Sequence, residues 1–204
     1  MQVRRLGLVR TREQRRRLLR VVACVSFAVA ANVPARADLL FYASFDETLN
    51  ADLAGGSPTG VVRRRGLALV PDGKWGRAVR GKASSQLAYD VVGNLGLDRG
   101  TIEFFAKFEP FGEGQWKYSL VHVSGVQGME LGVTRQGRSA GIVLGWKIGR
   151  HTSWVSNAQR FLYYGTWQHY AITWDLTAGL GKGVFSVFVG GARRIHATDV
   201  DPFA

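Results

Sequence analysis

The sequence predicts an all-β fold, an antiparallel β-sandwich or jelly roll, and three observations carry that prediction. From Asp38 onward the apolar residues alternate with period two rather than 3.6. The alternating segments are short and punctuated by glycine, with 26 Gly in the chain against 5 Pro. Six Trp, six Tyr and eleven Phe supply the aromatic side chains that pleated, half-buried surfaces favour. At 204 residues, 46% hydrophobic and 21% charged, the chain suits one folded domain and not a disordered polar polymer.

The first 37 residues stand apart. Arg4 to Arg20 form a basic stretch, Val21 to Val33 an apolar one, and Ala35-Arg36-Ala37 a small-x-small cleavage pattern. This is the layout of an export signal, with a helical apolar segment and cleavage between Ala37 and Asp38. The apolar run falls short of the ~20 residues that span a bilayer, so no stable membrane insertion is expected after cleavage. The basic and apolar runs are segregated end to end, which argues against an amphipathic helix of the mature protein. Arg16-Arg17-Leu18-Leu19-Arg20 has the look of a twin-arginine motif, but arginine-rich leaders produce such pairs by composition, and the general secretory route is favoured. The expected location is therefore secreted, periplasmic or cell-surface. Cys24, the one cysteine, lies inside the leader, leaving the body without disulfide, thiol nucleophile or cysteine metal site.

The leader also accounts for most of the formal charge of +12. It holds nine of the 27 basic residues and one of the 15 acids, leaving 18 against 14, a net of +4, in residues 38–204. So mild an excess, with no recognisable binding motif, argues against a nucleic-acid partner. Arg63-Arg64-Arg65 reads as a solvated strand or loop.

The strands follow in order. Leu39–Phe45 is a β-rich opening ended by Asp46-Glu47, and Gly55-Gly56-Ser57-Pro58 is a turn cluster. In Gly100–Phe108, Ile102, Phe104, Ala106 and Phe108 share one face, while Thr101, Glu103, Phe105 and Lys107 share the other. Ile142, Leu144, Trp146 and Ile148 lie together, and Phe185, Val187 and Val189 oppose Val184, Ser186 and Phe188. Segments 117–124, 129–134 and 166–174 complete the series.

Four motifs in order then become specific. They are Phe45-Asp46-Glu47, Gly73-Lys74-Trp75-Gly76-Arg77-Ala78, Gly100-Thr101-Ile102-Glu103-Phe104, and Gly165-Thr166-Trp167-Gln168-His169-Tyr170-Ala171-Ile172-Thr173-Trp174-Asp175. Together they resemble the laminin-G-like jelly-roll domains of the concanavalin A-like lectin/glucanase superfamily. The resemblance covers residues 39–195 and implies two sheets face to face, one of them concave. It places Trp75, Trp167 and Trp174 in the core; on their own chemistry, His169, on a strand between Gln168 and Tyr170, reads as structural, and Gly73, Gly76 and Gly100 as tight-turn residues where a side chain would clash. Phe185–Arg193 matches the family's late hairpin, with Gly190 where an aspartate is usual. The family continues into a closing strand beside the first one. Residues 38–204, taken as an incomplete domain, are therefore expected to leave the Leu39–Phe45 edge unpaired and prone to self-association.

Catalytic chemistry finds little footing. Retaining glycosidases need two carboxylates ~5 Å apart, and the related enzymes use a Glu-x-Asp-x-x-Glu type of cluster that this chain lacks. No catalytic residue is assigned. His122, His151, His169 and His196 are too scattered to define a metal site. The resemblance offers Ca²⁺ as cofactor, with Asp46 and Glu47 as candidate ligands. The expected function is non-catalytic recognition of a glycan or of an extracellular protein. Trp154, set between Ser153 and Val155 on a face shared with Thr152 and Ser156, and Trp116, beside Gly112-Glu113-Gly114-Gln115, are the candidate sugar-binding aromatics.

Overall fold

Alternation sorts side chains onto two faces, and the chain uses it to build two four-stranded sheets that share one core. The computed structural model describes residues 38–204 apart from 83–84, 111–116, 125–126, 137–138, 149–150, 158–162, 178–182 and 201–204. Its strands are β1 (Phe41–Tyr42), β2 (Leu53–Ala54), β3 (Val61–Arg64), β4 (Ala68–Val70), β5 (Ala78–Arg80), β6 (Gln86–Ala88), β7 (Arg99–Lys107), β8 (Lys117–Val123), β9 (Gln127–Gln136), β10 (Ser139–Ile148), β11 (His151–Asn157), β12 (Trp167–Asp175), β13 (Gly183–Val189) and β14 (Ala192–Val200). No helix occurs among the described residues.

One large sheet has the order β14-β13-β12-β7 and the other β11-β10-β9-β8, all pairs antiparallel. The inward faces are those expected from alternation. Tyr170, Ile172 and Trp174 of β12, Phe185, Val187 and Val189 of β13, and Ile195 and Ala197 of β14 join Val123, Met129, Ile142 and Leu144 of the other sheet in one buried cluster. Across the layers the Trp146 and Phe185 rings stack with centroids 5.4 Å apart, and Phe108 stacks on Tyr118 at 5.9 Å. At one margin Asn157 Nδ2 donates to the Arg194 carbonyl at 2.7 Å, tying β11 to β14. This is a β-sandwich-like arrangement in which burial of large apolar side chains, at about 1.5–3 kcal/mol each, is the main favourable term.

The register of the first sheet is set by an indole. Trp174 lies directly opposite Gly100 and is 4% exposed. A Cβ on Gly100 would sit 2.5 Å from Trp174 Cζ2 and 2.8 Å from Cη2. The Trp174 Nε1–H is shared by the Gly96 and Leu97 carbonyls at 3.2 and 3.1 Å, satisfying the donor that burial would otherwise strand. Gly100 thus serves a close approach inside a strand, where a tight turn was expected. Gly190 and Gly191, with φ of 58° and 79°, do form the two-residue hairpin turn between β13 and β14.

The opening strand also departs from expectation. Of Leu39–Phe45 only Phe41–Tyr42 is strand, and it is paired, with Phe41 opposite Ala54 and Tyr42 opposite Leu53. The partner comes from the next few residues because the chain reverses at once. Ser44 N–H donates to Asp52 Oδ2 at 2.6 Å, and Asn50 N–H to Thr48 Oγ1 at 3.1 Å. Ile195–Val200 belongs to β14, against β13. Three two-stranded ribbons, β1-β2, β3-β6 and β4-β5, therefore precede the sandwich.

Two outcomes follow from this packing. Gly100→Ala should destabilise the fold by about 1–3 kcal/mol through overpacking against Trp174, read as a lower denaturation midpoint at unchanged slope. Burial and the nearby Asp52 charge push the Tyr89 phenol up to about 12 from 10.0, while its hydroxyl donates to the Leu49 carbonyl at 2.6 Å. A raised native pKa means that Tyr89 contributes fully below pH ~10 and that its contribution fades as pH rises through about 12. Near-ultraviolet phenolate titration of the native protein should show Tyr89 ionising late, and Tyr89→Phe should remove that step.

Candidate functional site

The outward face of the β8–β11 sheet carries the first candidate, and strand register assembles it. His122 lies opposite Glu130, Glu130 opposite Gly145, and Gly145 opposite Trp154, so one row crosses all four strands. Directly opposed residues share a face. Gly145 is buried because the Trp154 indole lies over it: a Cβ there would run into Cζ3, Cε3 and Cη2 of the ring. Trp154 nevertheless remains 52% exposed. Covering a strand glycine with a cross-strand aromatic is itself a stabilising device. Ser119, Gly132, Val143 and Ser156 form the next row. Ser119 Oγ donates to Glu130 Oε1 at 2.8 Å, orienting that carboxylate beside the platform.

The outward face of the other large sheet carries a second aromatic surface that sequence reasoning missed. Trp75 is not a core residue: it is 70% exposed, with its ring edge-on to Phe105 at 4.7 Å. Phe105 in turn meets the His169 ring at 5.0 Å, and His169 Nε2 lies 3.4 Å from Glu103 Oε2. Trp167 is half-buried on this same outward face, under the Lys107 ammonium at 5.4 Å, so it too is outside the core. The expectation erred because Trp75 sits in a turn where period-two parity has no meaning, and because Trp167 shares parity with the outward His169. Only Trp174 is a core tryptophan of the three. The signal that was available was parity itself: Phe105 and Lys107 had already been assigned to the outward face.

The turn that carries Trp75 is held by Asp46, one of the two residues expected to bind calcium. Asp46 Oδ1 accepts the Arg77 N–H at 2.8 Å, and Arg77 Nη1 donates to the Asp46 carbonyl at 3.3 Å. Gly73 N–H closes the turn onto the Gly76 carbonyl at 3.1 Å. Gly76 has φ +69°, and a Cβ there would collide with the Asp46 carboxylate. Phe45, just before, adopts φ 63°, a conformation rare for an aromatic residue. Asp46 thus clamps a turn and has a guanidinium at its carbonyl. Glu47 is exposed. No group of three His, Cys, Asp or Glu side chains able to hold a metal occurs among the described residues.

The remaining assignments divide plainly. Trp116 and Ala37, with the rest of the leader, lie outside the described residues, and Asp38 is exposed. Trp154 and the Trp75 surface are on opposite sheets and are not brought together. Among the described acids, Glu130 bonds Ser119, Glu103 faces His169, Asp72 pairs both Lys107 and Arg80, and Asp52 accepts from Ser44. Arg63 and Arg64 lie in β3, whose four residues are all exposed. Comparison with protein-family models, with curated proteins and with solved structures gives no match.

Asp72 offers a direct check on this surface. The Lys107 ammonium, 2.9 Å away, holds its carboxyl below the usual 3.8, by hydrogen bond first and by charge second, with Arg80 adding to it. A depressed native pKa means that the pairing is present above the unfolded value and is lost as pH falls through the lowered one. Carbon-detected titration should show Asp72 protonating late in native protein, and Lys107→Met should return it toward 3.8.

Proposed function

We propose that the chain is an exported, non-catalytic recognition domain of jelly-roll type that binds carbohydrate through the Trp154 face. The observation that carries this reading is the indole itself, packed over Gly145 and yet 52% exposed on the outward face of the sheet. A sugar presents a C–H-rich face that stacks on such a ring, and its hydroxyls need donors and acceptors at the rim. Glu130, Ser119 and His122 supply them along the same rows. Because the ring is already ordered, little conformational entropy is lost on binding.

Recognition without catalysis is supported by the isolation of the acids. Strands β8–β11 contain one carboxylate, Glu130, with Ser119 hydrogen-bonded to it and His122 opposite it, whereas the paired chemistry of glycoside hydrolysis uses two. Export rests on the leader and its Ala37–Asp38 junction. Calcium plays no part in this reading. The competing function, a protein-interaction or adhesion module, draws on the exposed Tyr42, Leu53, Val61 and Val62 of the ribbons.

A glycan-array screen followed by titration separates the two. Trp154→Ala should weaken the best neutral glycan by about 30-fold or more, as loss of a ~2 kcal/mol aromatic anchor would, while Trp154→Phe keeps part of the affinity. Glycan binding indifferent to Trp154, in protein with an unchanged melting profile, would refute the assignment, and no glycan bound at all would favour the protein-interaction function.

A further inference from the structure

Charge in the body of the chain is concentrated in one place. Residues 61–82 hold seven basic residues and a single acid, Asp72, a net of +6, whereas residues 38–204 as a whole total +4. The remainder of the body is therefore net −2. The segment forms β3, β4 and β5, in ribbons that leave every β3 residue exposed, and the β3-β6 ladder is irregular between Val62 and Arg64, where strict two-sided alternation is broken.

Hydrogen bonds draw these charges into a strip. Ser85 Oγ donates to the Arg65 carbonyl at 3.3 Å and accepts the Lys82 N–H at 2.9 Å, which brings the end of β3 to the end of β5. Arg80, opposite Ala68, continues along β5. Beyond it the 71–77 turn lays Trp75 against Phe105, with the Lys74 ammonium 5.7 Å from one ring centroid and 5.9 Å from the other. Asp72 pairs Arg80 at 3.4 Å but is shared with Lys107 at 2.9 Å, so it offsets only part of the charge of the strip. Crowding like charge onto small ribbons is unfavourable in the free protein, and an anion laid along them removes that cost. Guanidinium groups pair carboxylates in bidentate fashion, and an exposed, anchored indole stacks on a sugar ring.

We propose that this strip, from Arg64, Arg65 and Lys82 through Arg80 to Lys74 and Trp75, is a binding site for a carboxylate-bearing polysaccharide. It shares with the reading above the premise that the ligands are glycans, but it lies apart from Trp154 and takes a charged one.

The test is titration of the purified full chain with polygalacturonate, with its methyl ester and with poly-glutamate, over a salt series. The leader arginines are common to parent and variants, so differences between them report the strip. Polygalacturonate should bind, with affinity falling as salt rises. The methyl ester, which keeps the sugar backbone and loses the charge, and poly-glutamate, which keeps the charge and loses the sugar, should each bind at least about tenfold more weakly. Arg64→Gln/Arg65→Gln/Lys82→Gln should flatten the salt dependence. Trp75→Ala should weaken binding at every salt concentration, with Trp75→Tyr recovering part of it and thermal melting showing both variants folded. Trp154→Ala should leave polygalacturonate binding intact, so that failure of either glycan site is visible separately. Equal binding of poly-glutamate, equal binding of the methyl ester, no binding of polygalacturonate, or indifference to the strip variants would each overturn the proposal.

Discussion

The structure depends on indole rings accepted by glycines on the neighbouring strand. Trp174 over Gly100 fixes how β7 meets β12, and a slip of one residue there would turn every side chain of β7 to the opposite face. With that register set, Ile102 and Phe104 face the core with Ile172 and Tyr170, while Phe105 meets His169 and Lys107 meets Trp167 outside. The same device recurs in the second sheet, where Trp154 over Gly145 turns an aromatic outward and holds it there. One pairing buries its indole to build the core; the other leaves its indole half exposed on the outward face.

The four motifs that stand apart in the sequence form one connected structure. Asp46 clamps the Gly76–Arg77 turn, the turn presents Trp75 to Phe105 of the third motif, and Phe105 meets His169 of the fourth. The left-handed Phe45 and Gly76 stand on the two sides of that clamp, where backbone conformations disfavoured alone are held by surrounding hydrogen bonds. Motif spacing along the chain thus reports a contact network in space.

How much was legible follows from what alternation encodes. The core sides read for β7, β10 and β13 hold for Ile102, Phe104, Ala106, Phe108, Ile142, Leu144, Trp146, Phe185, Val187 and Val189, because period two is sufficient to say which residues share a face. The ribbons were not legible: β2, β4, β5 and β6 are two or three residues long, too short for a period to show. Trp75 was misplaced for the same reason, since it lies in a turn whose geometry is set by Asp46, some thirty positions earlier. Trp154 was singled out from its polar neighbours alone. That it needs Gly145 opposite is a fact of register between β10 and β11, which no single segment records.

Proton chemical shifts of the glycines test the central claim most directly. A ring held flat over an α-carbon shields the protons attached to it, so the α-protons of Gly100 and Gly145 should both resonate strongly upfield of ordinary strand glycines. Replacing Trp174 with Leu should release only the first, and replacing Trp154 with Leu only the second. Ordinary shifts at both glycines in the folded protein would contradict the account.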